Sequence, residues 1–328
     1  MNKSNIFENS SVLVTGGNGA VGSNLVKKLL NQYAKVVVLD NFSQSSPKNL
    51  TIHKNLKIIK GNITDEKILK TTFSKKYDYV FHLAARFANE LSVQNPIDDL
   101  VVNTQGTLQI LLHVAKQKPK RFIYTSSSSL YGTQKVISFK ETLYPNPSTP
   151  YAASKLSAEH YCNAIGKLSG LNYTIVRLSN SYGPFDPPGR FRNVIPNFFD
   201  AAIHNKDIVI TGTGKETRDF TFVDDIVKGI LLSASKKSAE NQIFNLGTGK
   251  ETKILKIANL ILDMTKSKSK IVFKQRRSFD YITRRKMGIS KAKNLLGYSP
   301  ETKIENGLQL TYDWFLNIGD LHKHSCIM

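Results

Sequence analysis

Val12-Leu13-Val14-Thr15-Gly16-Gly17-Asn18-Gly19-Ala20-Val21-Gly22 is a short apolar run that breaks into glycines and resumes with a helical period through Val21, Leu25, Leu29 and Leu30. The run reads as a buried strand, and Ala20 to Asn31 as the helix that follows it. A glycine-rich turn between strand and helix points backbone amides at whatever lies above the helix N-terminus, which suits a pyrophosphate. The spacing is Gly16-x-x-Gly19-x-x-Gly22. The first glycine permits the tight turn, the second admits the phosphates and the third lets helix and strand pack. Asp40 ends the next apolar run, Val36-Val37-Val38-Leu39, about twenty residues on, where a carboxylate accepts ribose hydroxyls and repels a 2′-phosphate. NAD is therefore expected over NADP.

The rhythm continues outward from that unit. Leu56-Lys57-Ile58-Ile59, Tyr79-Val80-Phe81-His82-Leu83, Phe122-Ile123-Tyr124-Thr125 and Tyr173-Thr174-Ile175-Val176-Arg177-Leu178 read as strands. Helical stretches are expected near 65–75, 96–117 and 150–168. β-branched runs alternating with helices predict a doubly wound parallel α/β sheet, the Rossmann arrangement. After Leu178 the pattern breaks at Pro184, Pro187, Pro188 and Gly189. A helix near 194–204, strands at Asp207 to Thr211 and Phe220 to Phe222, a helix from Asp224 to Ser235, a core strand at Ile243 to Leu246 and a last helix from Ile304 to Ile318 follow. The expected division gives residues 1–179, with 219–249 returning, to the dinucleotide-binding part. Residues 180–218 and 250–320 form a smaller mixed α/β substrate part, and 321–328 a tail.

A second string carries chemistry. Tyr151-Ala152-Ala153-Ser154-Lys155 follows Pro150, a helix-start residue, so Tyr151 and Lys155 share a helix face. An ammonium one turn from a phenol favours the ionised phenol. The serine run Ser126-Ser127-Ser128-Ser129 ends the preceding strand at the carboxyl edge of the sheet, where a hydroxyl can meet a reacting oxygen. Together these imply hydride chemistry on an alcohol carbon.

With these strings the chain resembles the extended short-chain dehydrogenase/reductases, in particular the NAD-dependent nucleotide-sugar epimerase/dehydratase group. Further matching strings are Leu39-Asp40-Asn41, His82-Leu83-Ala84-Ala85, Val102-Asn103-Thr104-Gln105-Gly106-Thr107, Arg177-Leu178-Ser179-Asn180-Ser181-Tyr182-Gly183-Pro184, Thr217-Arg218-Asp219-Phe220 and Asn245-Leu246-Gly247-Thr248-Gly249. The resemblance implies that Ser127 supplies the catalytic hydroxyl, Tyr151 the acid/base, and Lys155 a further hold on the nicotinamide ribose. It implies cofactor contacts from Gly16, Gly19, Ala20, Val21, Gly22, Asp40, Asn41, Asn62, Ile63, Leu83, Ala84, Ala85 and Asn103. It assigns the substrate to Arg86, Ser127, Ser128, Tyr151, Asn180, Asn193, Arg218 on the diphosphate, and the pair Arg277 and Asp280. No metal is expected. Asn62 stands where the group often has an aspartate. Arg86 stands where a small residue is usual, and it either makes a structural ion pair or favours a uronate.

Dehydratases of the group carry an Asp-Glu pair where this chain has Ser128 and Ser129, and UDP-glucuronate decarboxylases a Glu at Ser129. Serine is too weak an acid and base for those steps. The expected activity is therefore 4-epimerisation of a nucleotide sugar, a UDP-sugar foremost, through a transient 4-keto intermediate, with NAD regenerated. A 4-dehydrogenase, a decarboxylase, a 4,6-dehydratase and a non-catalytic NAD- or RNA-binding protein are the alternatives. The resemblance also implies a homodimer packed through the 96–117 and Tyr151 helices.

The net charge of +21 and pI near 9.8 raise the question of nucleic acid. The lysines are scattered, and the densest stretch is Lys266 to Lys286, so a basic surface that steers an anionic nucleotide sugar is the reading adopted. Neither a membrane span nor a secretory segment is seen, which gives a cytoplasmic expectation. Cys162 and Cys326 make no disulfide or zinc pattern, and Cys326 lies one place too late for a prenylation box.

Overall fold

The computed structural model describes residues 5–277, 280 and 282–324; Cys326 and two members of the Arg277-to-Asp280 string, Ser278 and Phe279, fall outside them. Strand β1 (Ser11–Thr15) leads to helix α1 (Ala20–Asn31), β2 (Lys35–Asp40), β3 (Leu56–Lys60), α2 (Glu66–Thr72) and β4 (Tyr79–His82). There follow α3 (Asn89–Gln94), α4 (Pro96–Leu100), a π-helical turn at Val101–Gly106, α5 (Thr107–Gln117), β5 (Arg121–Ser127), β6 (Ser138–Phe139), α6 (Pro150–Ser169) and β7 (Tyr173–Leu178). The remainder holds β8 (Asn180–Tyr182), α7 (Val194–Ile203), β9 (Ile208–Thr211), β10 (Thr217–Arg218), β11 (Phe220–Phe222), α8 (Val223–Ser235) and β12 (Gln242–Leu246). Last come β13 (Thr252–Lys253), α9 (Ile254–Thr265), β14 (Ile271–Lys274), β15 (Lys286–Met287), α10 (Ser290–Leu296) and α11 (Ile304–His324).

Seven parallel strands form the main sheet in the order β12-β7-β5-β4-β1-β2-β3. β1 pairs with β2 on one side and β4 on the other, so the strand order reverses there, and the crevice at the carboxyl ends of β1 and β4 is the ligand site of such a sheet. The alternation within β1 explains how both faces are covered. Val12 and Val14 pack with Leu25, Val26 and Leu29 of α1 and Ile226 and Ile230 of α8. Leu13 points the other way, toward Ile110, Leu111 and Val114 of α5 and Ala158 and Cys162 of α6.

The expected helix over 96–117 forms over those residues, as α4, the π turn and α5 in succession. Asn95 and Pro96 start α4, and the π turn widens the helix at Asn103 before α5 resumes. The Thr107 hydroxyl donates to the Asn103 carbonyl at 2.6 Å, and Ile63 packs so close to Gly106 that a Cβ there would lie 2.8 Å from its Cδ1. π turns of this kind cluster at functional positions. α11 runs to His324, six residues beyond the expected end at Ile318, and α3, α9, α10 and β14 were not expected individually. Past the main sheet, Phe199 of α7 stacks on Tyr312 at 5.8 Å and tilts against Phe315 of α11.

A buried ion pair, and the hydrogen-bond chain that runs from it, join α6, β7, β12 and the Gly288 segment behind the crevice. Glu159 of α6 accepts from Nε and Nη2 of Arg177 on β7, with the closest contact 2.7 Å. Arg177 also donates to the Tyr131 hydroxyl, which donates to Asn245, whose amide holds the Phe139 and Gly288 carbonyls. Both charges are buried, so removing one partner strands the other in a low-dielectric interior. Glu159→Ala should lower unfolding stability by about 3–5 kcal/mol, read from the urea midpoint at unchanged slope.

Candidate active site

The glycine loop is shaped by what its side chains lack. Gly16 has a φ of +70°, and a Cβ there would sit 2.5 Å from the Ala84 nitrogen, so β4's exit lies directly against β1's. A Cβ at Gly22 would lie 2.1 Å from the Gly16 carbonyl. Gly19 caps α1 without any side-chain hydrogen bond, and the first turn carries no acid, so its amides face the crevice.

Asp40 does two tasks. One carboxylate oxygen accepts from the Asn18 amide at 2.9 Å, fixing the glycine loop, and the other accepts from the Phe42 amide at 2.8 Å. Asn18 in turn donates to Ser45 and to the Ser46 carbonyl, both at 2.7 Å, and folds the 41–49 loop over the crevice. Asn41 and Asn62 bond locally to the amides of Ser43 and Thr64.

The crevice opens into a cavity of about 820 Å³. It is lined by every residue of the cofactor expectation except one, and by every residue of the substrate expectation. The exception is Asn103. Its oxygen accepts from the Arg86 amide at 2.7 Å, and its nitrogen donates to the Arg86 carbonyl and to Asp99 at 2.8 Å. The π turn directs it into the backbone behind the cavity, where it fixes the Ala84-Ala85-Arg86 segment and does not line the cofactor site. Asp99 also accepts from the Ser154 hydroxyl at 2.6 Å, so one buried carboxylate joins this segment to α6.

Helix α6 delivers the phenol and the ammonium. Thr149 caps it and Pro150 takes its first position. The Tyr151 amide donates to Ser92 at 3.0 Å, and the Phe87 ring lies edge-on to the Tyr151 ring at 6.3 Å. Burial pushes the Tyr151 phenol up to about 12, and its hydrogen bond with Ser127 works against that rise. Lys155 is pushed down to about 8 by burial, with Cys162, Glu159 and Asp99 opposing. Its Nζ lies 4.3 Å over the Tyr124 ring, a contact that keeps the cation in place without neutralising it. Lys155 was expected to favour the ionised phenol; in this structure burial is the largest influence on Tyr151 and acts in the opposite direction.

The far end of the cavity is rich in arginine. Nη2 of Arg218 donates to both oxygens of Asp280 at 3.0 and 3.1 Å. Arg277 accepts from the Asp280 amide through its backbone carbonyl at 3.1 Å, while its side-chain Nε lies 3.5 Å from Glu90. Arg86 sits 3.3 Å from Asp98, while its Nε has no partner among the described residues. The loop after β8 spans the cavity: Pro184 accepts from Asn24, Arg192 donates to the Gln44 carbonyl and lies 3.6 Å from Asp186, and Arg190 lies 3.8 Å from Glu90. Tyr124, Glu90, Asp186, Arg192 and Arg285 were missed from sequence. Only Arg285, inside the basic stretch, gave any signal.

A family model described as the NAD dependent epimerase/dehydratase family matches residues 12–247. The chain belongs to this family. A solved epimerase from Methanothermobacter thermautotrophicus superposes with a TM-score of 0.96 at 40% identity, over 99% of this chain and 97% of that one. A putative UDP-glucose 4-epimerase of Methanocaldococcus jannaschii is 32% identical over 93% of this chain and 98% of its own. A UDP-N-acetyl-alpha-D-glucosaminuronate decarboxylase of Bacillus cytotoxicus is 34% identical over the same shares. The cofactor of this epimerase/dehydratase chain is NAD, which solved relatives hold. The residues fit it: uncapped amides of α1 for the pyrophosphate, Asp40 for ribose hydroxyls, and no Cβ where the loop must stay thin. Among the described residues no acid/His/Cys cluster suits a metal, and no helix is long and apolar enough to cross a membrane.

Lys155 carries a charge that burial disfavours, so its folded pKa lies below the unfolded value of about 10.4. The penalty is fully present below pH 8 and fades as pH rises toward the unfolded pKa. Without added cofactor, Lys155→Met should therefore be more stable than the parent at pH 7, with the gap narrowing between pH 8 and 10, as measured by thermal melts.

Proposed function

We propose that this chain is a nucleotide-sugar 4-epimerase acting foremost on a UDP-sugar. One observation carries the reading. The Ser127, Tyr151 and Lys155 constellation lines a cavity in which each acid is already engaged. Asp40 is held by backbone amides, Glu90 by Arg190 and Arg277, Asp186 by Arg192, and Asp280 by Arg218. Ser128 and Ser129 follow the serine assigned to catalysis, so among the described residues no free carboxylate is offered for eliminating water or stabilising a decarboxylation. What remains is oxidation of one alcohol carbon and its reduction again.

In this scheme Ser127 hydrogen-bonds the C4 oxygen and holds it beside the Tyr151 hydroxyl. Tyr151 takes the alcohol proton and gives it back on the other face of the sugar. Bound NAD supplies a hydride acceptor and a positive ring that favours the phenolate. Lys155, charged at neutral pH, adds to that field from one helical turn away. Asn180 and Asn193 offer amides to the substrate, and Arg218, Arg277 and Asp280 stand at its nucleotide end.

A second reading, action on a uronate, is favoured by Arg86, which lines the cavity and whose buried Nε has no partner among the described residues, and by the similarity to the decarboxylase. The proposal includes a homodimer. It is supported by large apolar side chains exposed on neighbouring helices: Val93 of α3, Ile97 and Leu100 of α4, Leu112 of α5 and Leu168 of α6. It also includes a cytoplasmic location and no nucleic-acid partner.

The test is incubation with UDP-, GDP-, CDP- and dTDP-sugars, neutral and uronate, read by proton NMR. The expected result is reversible C4 inversion without growth of NADH absorbance. A 4-keto-6-deoxy product, loss of carbon dioxide, or steady NADH production would each overturn it. Tyr151→Phe should lower kcat by roughly 10²–10⁴ with NAD still bound, because only the proton transfer is removed.

A further inference from the structure

Arg285 stands just before β15, is 7% exposed and lines the cavity. Its Nε and Nη1 are buried with no hydrogen-bond partner among the described residues. Its neighbour Arg218 is equally buried, but that cation is answered: Nη1 donates to the Thr217 carbonyl at 2.9 Å and Nη2 to Asp280. Asp280 is therefore spent on Arg218, and the next acid, Asp219, is engaged by the amides of Thr248, Gly249 and Met287. Burial, and then the charge of Arg218, push Arg285 down to about 9, against the smaller opposing pull of Asp280 and Asp219, neither of which hydrogen-bonds its buried Nε or Nη1. A buried guanidinium with open donors and a like charge beside it costs free energy in every state except one in which an anion reaches it.

We propose that Arg285 is a ligand-binding residue: with Arg218 it forms a two-guanidinium seat whose charge matches the diphosphate of the nucleotide sugar. The inference rests on the nucleotide-sugar reading above and adds a residue to it. The planar fork of Arg285 gives two parallel donors to phosphate oxygens, which a lysine at the same place would not. Arg277 is half-exposed and paired with Glu90, so it is the weaker candidate for the second anchor. A ligand with one phosphate satisfies one cation only. The seat thus selects diphosphates over monophosphates of the same nucleoside.

The experiment uses NAD-loaded protein and calorimetric titration with UDP, GDP and dTDP, then with the monophosphate of whichever nucleoside binds tightest. Arg285→Gln should weaken diphosphate binding by at least tenfold and leave monophosphate binding within threefold. KM for the nucleotide sugar should rise with kcat little changed, and the circular dichroism spectrum should be retained. Diphosphate affinity within twofold of the parent, or equal weakening of both phosphates, would overturn the assignment. Should Arg285→Gln not fold, Arg285→Lys replaces it: a three- to tenfold loss for the diphosphate supports the seat, and unchanged affinity defeats it. A parent protein that binds no nucleoside diphosphate at all would instead sink the nucleotide-sugar reading, which separates the two failures.

Discussion

The catalytic face of this protein depends on one buried carboxylate. Asp99 takes a hydroxyl from Ser154, between Tyr151 and Lys155 on α6, and an amide from Asn103 in the π turn. Asn103 in turn grips the backbone of Arg86 from both sides. The helix that presents the phenol and the segment that flanks the glycine loop are therefore fixed to the same two oxygens. Burial raises the Asp99 carboxyl, while Ser154, Lys155, Asn103 and Arg86 hold it down. Positioning of this kind is what a site needs if a sugar must turn over inside it while the reacting groups stay still.

Much of the frame was legible because its signals are local. The glycine spacing, Asp40 at a strand end and the alternation in β1 each follow from a few adjacent residues, and the doubly wound sheet follows from them. Tyr151 and Lys155 were readable from one helical turn. Asn103 was recognised as part of a motif, but its grip on Arg86 and Asp99 was not, because a π turn rotates a side chain by an amount that helical periodicity does not encode. Arg285 and Asp186 were missed for a different reason. Their meaning comes from burial against the cavity, and a residue in a charge-rich or proline-rich loop carries no sign of that.

The arginines in and behind the cavity divide into those that shape it and those that face its contents. Arg177 is a frame element, locked to Glu159 and Tyr131 deep behind the sheet edge. Arg190 and Arg192 pin the loop after β8 to Glu90, Asp186 and the Gln44 carbonyl. Net charge alone, at +21, does not distinguish these duties. The basic character matters near the cavity because low-dielectric walls focus the field there, and it matters little where lysines are scattered in solvent.

Beneath the crevice, the ring of His82 is clasped by Thr15 at 2.6 Å and Thr107 at 2.9 Å, joining β1, β4 and α5. Burial, with the nearby Lys155 charge, drives this imidazole down to about 3. The side chain that most often answers to mild acidification is thus mute at the centre of the protein. Acidification would reach this floor of the crevice only through other groups, because the imidazole that joins the two strands and the helix gains no proton under mild acid.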